Sequence, residues 1–191
     1  MTSAGENPPT DLLRELSPVF GEVHRLALNA WSLQTKIREV GWANAALSEQ
    51  TRLAESTSLE ALRREIILGL CRLDEADSSS WSFHAAKKLA SQRGRPHEFA
   101  NTVNQLIKEF RQQINSFKQE HRNAYIAHHS KNKFRNQFQL PFTEFNPDLL
   151  KCVLLAFGVA DGILGERIEL QWQLADSNST MLNLRTALEN P

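Results

Sequence analysis

The segment from His97 to His129, HEFANTVNQLIKEFRQQINSFKQEHRNAYIAHH, decides the fold. Phe99, Val103, Ile107, Phe110, Ile114, Phe117, His121, Tyr125 and His128 recur at steps of three and four residues, the period of one face of an α-helix. The spacing predicts a single long helix from His97 to about His129. Its neighbours follow the same rule. Between Asp11 and Ala46, Leu12, Leu16, Phe20, Val23, Ala27, Ala30, Trp31, Ile37 and Val40 form a helical stripe in which Pro18 and Gly41 are candidate kinks or breaks.

Thr57-Ser58-Leu59-Glu60 has the form of a capping box and predicts the start of a second helix, with Leu62, Ile66, Leu70 and Leu73 on its buried face and Asp77-Ser78-Ser79-Ser80 at its end. A short helix is expected from Trp81 to Ala90, before Gly94-Arg95-Pro96 breaks the chain. Lys131 to Pro147 reads as a loop whose Phe134, Phe138, Phe142 and Phe145 fold back over the bundle. Asn146-Pro147-Asp148 then opens an apolar helix running from Leu149 to Trp172. No segment alternates apolar and polar residues for long enough to make a strand. The expected fold is all-α, a bundle of four to five helices in one domain over residues 11–175, with residues 1–10 flexible and residues 176–191 a polar, poorly ordered tail.

Composition narrows the function classes. With 191 residues, 41% of them hydrophobic, the chain can bury a full core. It has no run of 18 apolar residues and no basic-then-apolar leader, so a cytoplasmic protein without a membrane partner is expected. Cys71 and Cys152 lie within apolar helical patterns and read as free core thiols. The 22 basic and 22 acidic residues cancel, which argues against a chain built to coat nucleic acid. The charge is nonetheless uneven: residues 108–136 hold seven Lys or Arg and two Glu, a local balance of 7 − 2 = +5. A solvated helix face and an anion-binding patch both fit that run.

Within it, His121-Arg122-Asn123-Ala124-Tyr125-Ile126-Ala127-His128-His129 gathers a guanidinium, an amide and imidazoles, the groups that bind and cleave phosphodiesters. His128 on the apolar stripe also fits a core histidine bonded to a neighbouring helix, and Tyr125 fits a packing residue. A separation of six residues sets Arg122 and His128 roughly 120° and about 9 Å apart on one helix. Joining them in one cleft calls for two copies of the helix across a two-fold axis.

At these residues the chain resembles the HEPN superfamily (higher eukaryotes and prokaryotes nucleotide-binding domains), marked by an Arg, a polar residue directly after it, and a His separated from the Arg by four to six residues. Arg122, Asn123 and His128 match with five intervening residues, and His129 matches with six. The wording of the motif, and Arg72-Leu73-Asp74 ahead of a Ser-rich turn and a short helix, are most similar to the phage abortive-infection branch.

The resemblance implies a homodimeric four-helix-type bundle that cuts RNA without metal or other cofactor, a defence or toxin endoribonuclease. Arg122, Asn123 and His128 are its implied catalytic group. His121, Tyr125, His129, Lys131, Lys133 and Arg135 would bind RNA or support the site. It leaves room for an antitoxin or a phage-derived trigger as partner. Toxins of the superfamily silenced by a nucleotidyltransferase have a Tyr two positions after the His; here that position is Ser130, so that route is not expected. The alternative reading is a non-catalytic HEPN-like module that binds RNA, a nucleotide or a protein.

Overall fold

The computed structural model of the chain describes residues 10–43, 47–75, 81–93, 97–128, 145–173 and 181–190. Among them the chain is mostly helical, with six helices packed together and a small C-terminal hairpin. The helices are α1 (Thr10–Ala43), α2 (Glu49–Leu73), α3 (Phe83–Gln92), α4 (His97–His128), α5 (Pro147–Leu164) and α6 (Leu184–Glu189); the strands are β1 (Gln171–Gln173) and β2 (Met181–Asn183).

The apolar stripes mark much of the core, but Phe20, Trp31, Val40 and Leu62, expected on the buried faces, are only partly buried, while Val19, Leu26, Leu33, Leu59 and Ile67 join the core beside the residues expected there. Leu12, Leu16, Val19, Val23, Leu26, Ala27, Ala30, Leu33 and Ile37 of α1 are buried, as are Leu59, Ile66, Ile67, Leu70 and Leu73 of α2. On α4 the buried residues are Val103, Ile107, Phe110, Ile114 and Phe117, the central part of the expected stripe. Helix α1 packs chiefly along α2, and α4 chiefly along α5. Phe83 of α3 meets Phe110 of α4 edge to face, ring centroids 5.3 Å apart, and so locks the short helix to the long one. Phe145 packs partly buried against the core, whereas Phe134, Phe138 and Phe142 lie outside the described residues.

Four boundaries differ from the sequence reading. Helix α1 runs without a break through Pro18 and Gly41. Pro18 costs one intrahelical hydrogen bond, and the buried stripe on both sides of it holds the helix together. Helix α2 starts two turns before the expected capping box. Ser48 is its cap, its side chain accepting from the Thr51 amide, while the Thr57 hydroxyl donates back to the Leu53 carbonyl within the helix.

Helix α5 opens as expected, with the Asn146 side chain accepting from the amides of Asp148 and Leu149 and Pro147 in the first turn. It stops at Leu164 rather than continuing to Trp172, because Gly165 takes the left-handed conformation (φ 80°) and its amide returns to the Asp161 carbonyl.

The C-terminal segment differs most, and it departs from a purely α fold. Gln171, Trp172 and Gln173 pair antiparallel with Asn183, Leu182 and Met181. Helix α6 then buries Leu184 and Leu188 completely and Arg185 almost so. The Asp161 carboxylate accepts from Arg185 at 2.8 Å and from the Ile168 amide, and Arg185 also pairs with Glu189. A segment whose composition reads as a polar tail is thus fastened to α5 by one buried guanidinium.

Candidate nucleic-acid site on helix α4

Helix α4 has two useful faces. The stripe through Val103, Phe110 and Phe117 is buried, and it fixes the rotation of the helix about its axis. On the neighbouring flank Asn104, Arg111 and Lys118 recur at seven-residue steps, a near-straight line along the helix.

That line meets Asp74, the residue that caps the C-terminus of α2 and whose side chain is only 1% exposed. A carboxylate so far from water is costly unless paired, and two cations from α4 pair it. Arg111 Nε donates to Asp74 Oδ1 at 2.9 Å, Lys118 Nζ donates to Asp74 Oδ2, and Arg111 Nη2 also reaches the Asp74 carbonyl at 3.4 Å. The cations themselves stay open to solvent, with Arg111 42% and Lys118 33% exposed.

Helix α3 adds to the cluster. Its Ser82 cap accepts from the Ala85 amide and sets the first turn, which carries His84. Arg111 Nη2 lies 2.8 Å from His84 Nε2, so the guanidinium donates to a neutral imidazole. One turn on, Lys87 Nζ donates to Asn104 Oδ1 at 2.6 Å. The pairings 84 with 111 and 87 with 104 make α3 antiparallel to α4. Burial pulls the His84 pKa below the ordinary imidazole value; Arg111, Lys87 and Lys118 push the same way, and Asp74 opposes them.

The residues singled out by the sequence motif sit at the far end of the same helix. The backbone of His121, Arg122, Asn123, Tyr125 and His128 is helical, in the final turns of α4, and their side chains lie outside the described residues. His129, Lys131, Lys133 and Arg135 lie outside the described residues altogether. In register, His121 and His128 continue the line of Ile107 and Ile114, and Arg122 follows Lys118 by one turn.

Arg72-Leu73-Asp74 acquires a structural account. Leu73 is fully buried, Arg72 bonds Glu22 of α1 at 3.3 Å, and Asp74 receives α4. Sequence reasoning passed over His84, Lys87, Arg111 and Lys118 as a group. Arg111 and Lys118 belong to the basic run 108–136, and the seven-residue spacing of Asn104, Arg111 and Lys118 was the further signal that they share a face.

Among the described residues no group of three or more His, Cys, Asp or Glu side chains is placed to hold a metal ion. Cys71 and Cys152 are free thiols. Burial pushes the Cys152 pKa up to about 12 and raises that of Cys71 as well. No described helix is long and apolar enough to cross a membrane. Comparison with known proteins found no matching family model, no matching curated protein and no matching solved structure.

Proposed function

We propose that the chain is a homodimeric, metal-independent endoribonuclease of defence or toxin type, with Arg122 and His128 as the central pair and Asn123 in support. The observation that carries the reading is the sequence Arg122-Asn123 followed by His128 in the last turns of a helix that stays helical through His128, within a mostly helical protein. The resemblance to the HEPN superfamily rests on the same residues.

In this reading the histidine, ionising near pH ~6.5 when unperturbed, accepts the proton of a ribose 2′-hydroxyl. The 2′-oxygen attacks the adjacent phosphorus, the bond to the 5′-oxygen breaks, and the leaving oxygen takes a proton. The products are a 2′,3′-cyclic phosphate and a 5′-hydroxyl. Arg122 donates to the phosphoryl oxygens as negative charge develops, and Asn123 orients the imidazole or the ribose. Because Arg122 and His128 of one helix are about 9 Å apart along the axis, the reading requires the Arg of one copy to act beside the His of the other. DNA lacks the nucleophile and is not a substrate.

The test is incubation of the purified protein in EDTA with mixed structured and single-stranded RNA, beside Arg122→Ala and His128→Ala proteins of matched oligomeric state. Loss of a general base or of a charge-stabilising donor costs about 100-fold or more in rate, so both variants should be essentially silent. Full cleavage by His128→Ala overturns the assignment. Salt-sensitive binding of RNA without cleavage by the unmodified protein favours the non-catalytic module instead.

A further inference from the structure

We infer that the exposed face along the α3–α4 seam, bearing Lys87, His84, Arg111 and Lys118, binds the phosphate backbone of the RNA strand that flanks Arg122. The inference rests on the ribonuclease reading for the position of the cut, and on the seam itself for the binding.

The groups form a line. Lys87 on Asn104 comes first, then His84 on Arg111, then Lys118, and Arg122 follows one turn later in the same register. From Asn104 to Arg122 is 18 residues, about 27 Å of helix, a length that accommodates about eight nucleotides at the 3.4 Å rise of a stacked strand. The charge along it is mainly positive: Lys87, Arg111 and Lys118 surround His84, and the acids near them, at the end of α2, are the exposed Glu75 and the buried Asp74.

Burial separates Asp74 from its partners: its carboxylate is 1% exposed, while Arg111 and Lys118 are 42% and 33% exposed. The acid therefore holds the cations in place from beneath while the positive field faces water. Cations fixed in this way lose less side-chain freedom when a phosphate arrives than free surface lysines do. Among the described residues Lys118 engages one of its three N–H donors, and Nη1 of Arg111 makes no hydrogen bond. Both can therefore receive phosphate oxygens without surrendering Asp74.

The experiment measures binding of a fluorescent 12-nucleotide 2′-O-methyl RNA, which cannot be cleaved by 2′-hydroxyl attack, from low to moderate salt. Lys87→Gln and Arg111→Gln are compared with the unmodified protein. Lys36→Gln serves as control, because Lys36 pairs with Glu55, 19 residues or about 28 Å of helix from Asp74. Lys87→Gln and Arg111→Gln should each weaken binding about fivefold at low salt and reduce the slope of log K against log salt by about 0.7, as expected for one lost phosphate contact on a single strand.

Among the described residues Lys87 bonds the Asn104 amide and not Asp74, so Lys87→Gln tests the face even if Arg111→Gln disturbs Asp74. Equal affinities and slopes in Lys87→Gln and the unmodified protein overturn the inference, as does an unmodified protein that binds no RNA. The two proposals fail separately. Cleavage that depends on Arg122 and His128, with unchanged binding by Lys87→Gln, removes the flanking face and keeps the ribonuclease. Binding that depends on Lys87 and Arg111, with no cleavage of natural RNA, does the reverse.

Discussion

Among the described residues two carboxylates are buried between helices, and each is held by two cations that remain half-exposed. Glu22 of α1 accepts from Arg25 at 2.6 and 2.8 Å and from Arg72 of α2 at 3.3 Å; Asp74 of α2 accepts from Arg111 and Lys118 of α4. Such pairs contribute little net stability over apolar packing, but removing one partner leaves a charge stranded. Their use here is to fix the rotation and register of α1, α2 and α4 relative to one another.

His84 extends the second pair and makes it sensitive to pH. Its imidazole accepts from Arg111 only when neutral, and its pKa in the folded chain is depressed by burial and then by Arg111. The unfolded chain therefore takes up a proton near pH ~6.5, at a higher pH than the folded chain does, so stability rises with pH across that window. Above about pH 6.5 both states are neutral at His84 and its full contribution is present. As pH falls from there toward the lower folded pKa, the contribution is lost. Thermal melting from pH 8 to pH 5 should show a fall in Tm that is smaller in His84→Gln; an identical pH profile in the variant removes His84 as the cause.

At the scale of the element, the start of α2 shows why a local signature loses to a better one nearby. Thr57 to Glu60 satisfies the capping-box pattern, yet Ser48 offers the same side-chain acceptor to Thr51, and the two turns between them gain an intrahelical ladder and the Lys36–Glu55 bond to α1. Ser48→Ala should therefore cost about 1 kcal/mol by denaturant melting, and Thr57→Ala should cost less than half of that, since a mid-helix hydroxyl bonded to the carbonyl four residues back adds little. Equal effects would mean that the helix begins where the pattern suggested.

The long elements were legible because their information is periodic and local: the stripe of α4 from Val103 to Phe117 is buried as its spacing requires, and Asn146-Pro147 opens α5 by its own chemistry. The motif at Arg122, Asn123 and His128 is local in the same way, and its side chains lie outside the described residues. The Asp74 cluster was not, because its partners lie 37 and 44 residues away and meet only after α2 and α4 have packed.

For the molecule as a whole, the C-terminal residues test whether the bundle ends at α5. Residues 176–191 hold few apolar side chains, and a spacing of four between Leu184 and Leu188 is a single helical turn, too short to announce a helix. Contacts nevertheless join this segment, and the strand β1 that it pairs with, to the core. The Leu184 amide donates to the Leu170 carbonyl at 2.8 Å, Arg185 bonds Asp161 while its guanidinium stands 5.7 Å from the Phe157 ring centre, and His24 of α1 bonds the Gln171 carbonyl at 2.9 Å beside Trp172. Helix α6 thus packs on α1 and reaches α5 through Arg185, and α5 is the chief packing partner of α4. If α6 belongs to the same cooperative unit, emptying the space of the fully buried Leu188 should cost what a core leucine costs. Leu188→Ala is expected to lower unfolding free energy by about 2–5 kcal/mol while leaving one unfolding transition detected alike by far-ultraviolet circular dichroism and tryptophan fluorescence. A separate early transition in fluorescence alone, reporting Trp172, would instead make the hairpin and α6 an independently melting flap; unchanged stability would show that Leu188 is not in the core at all.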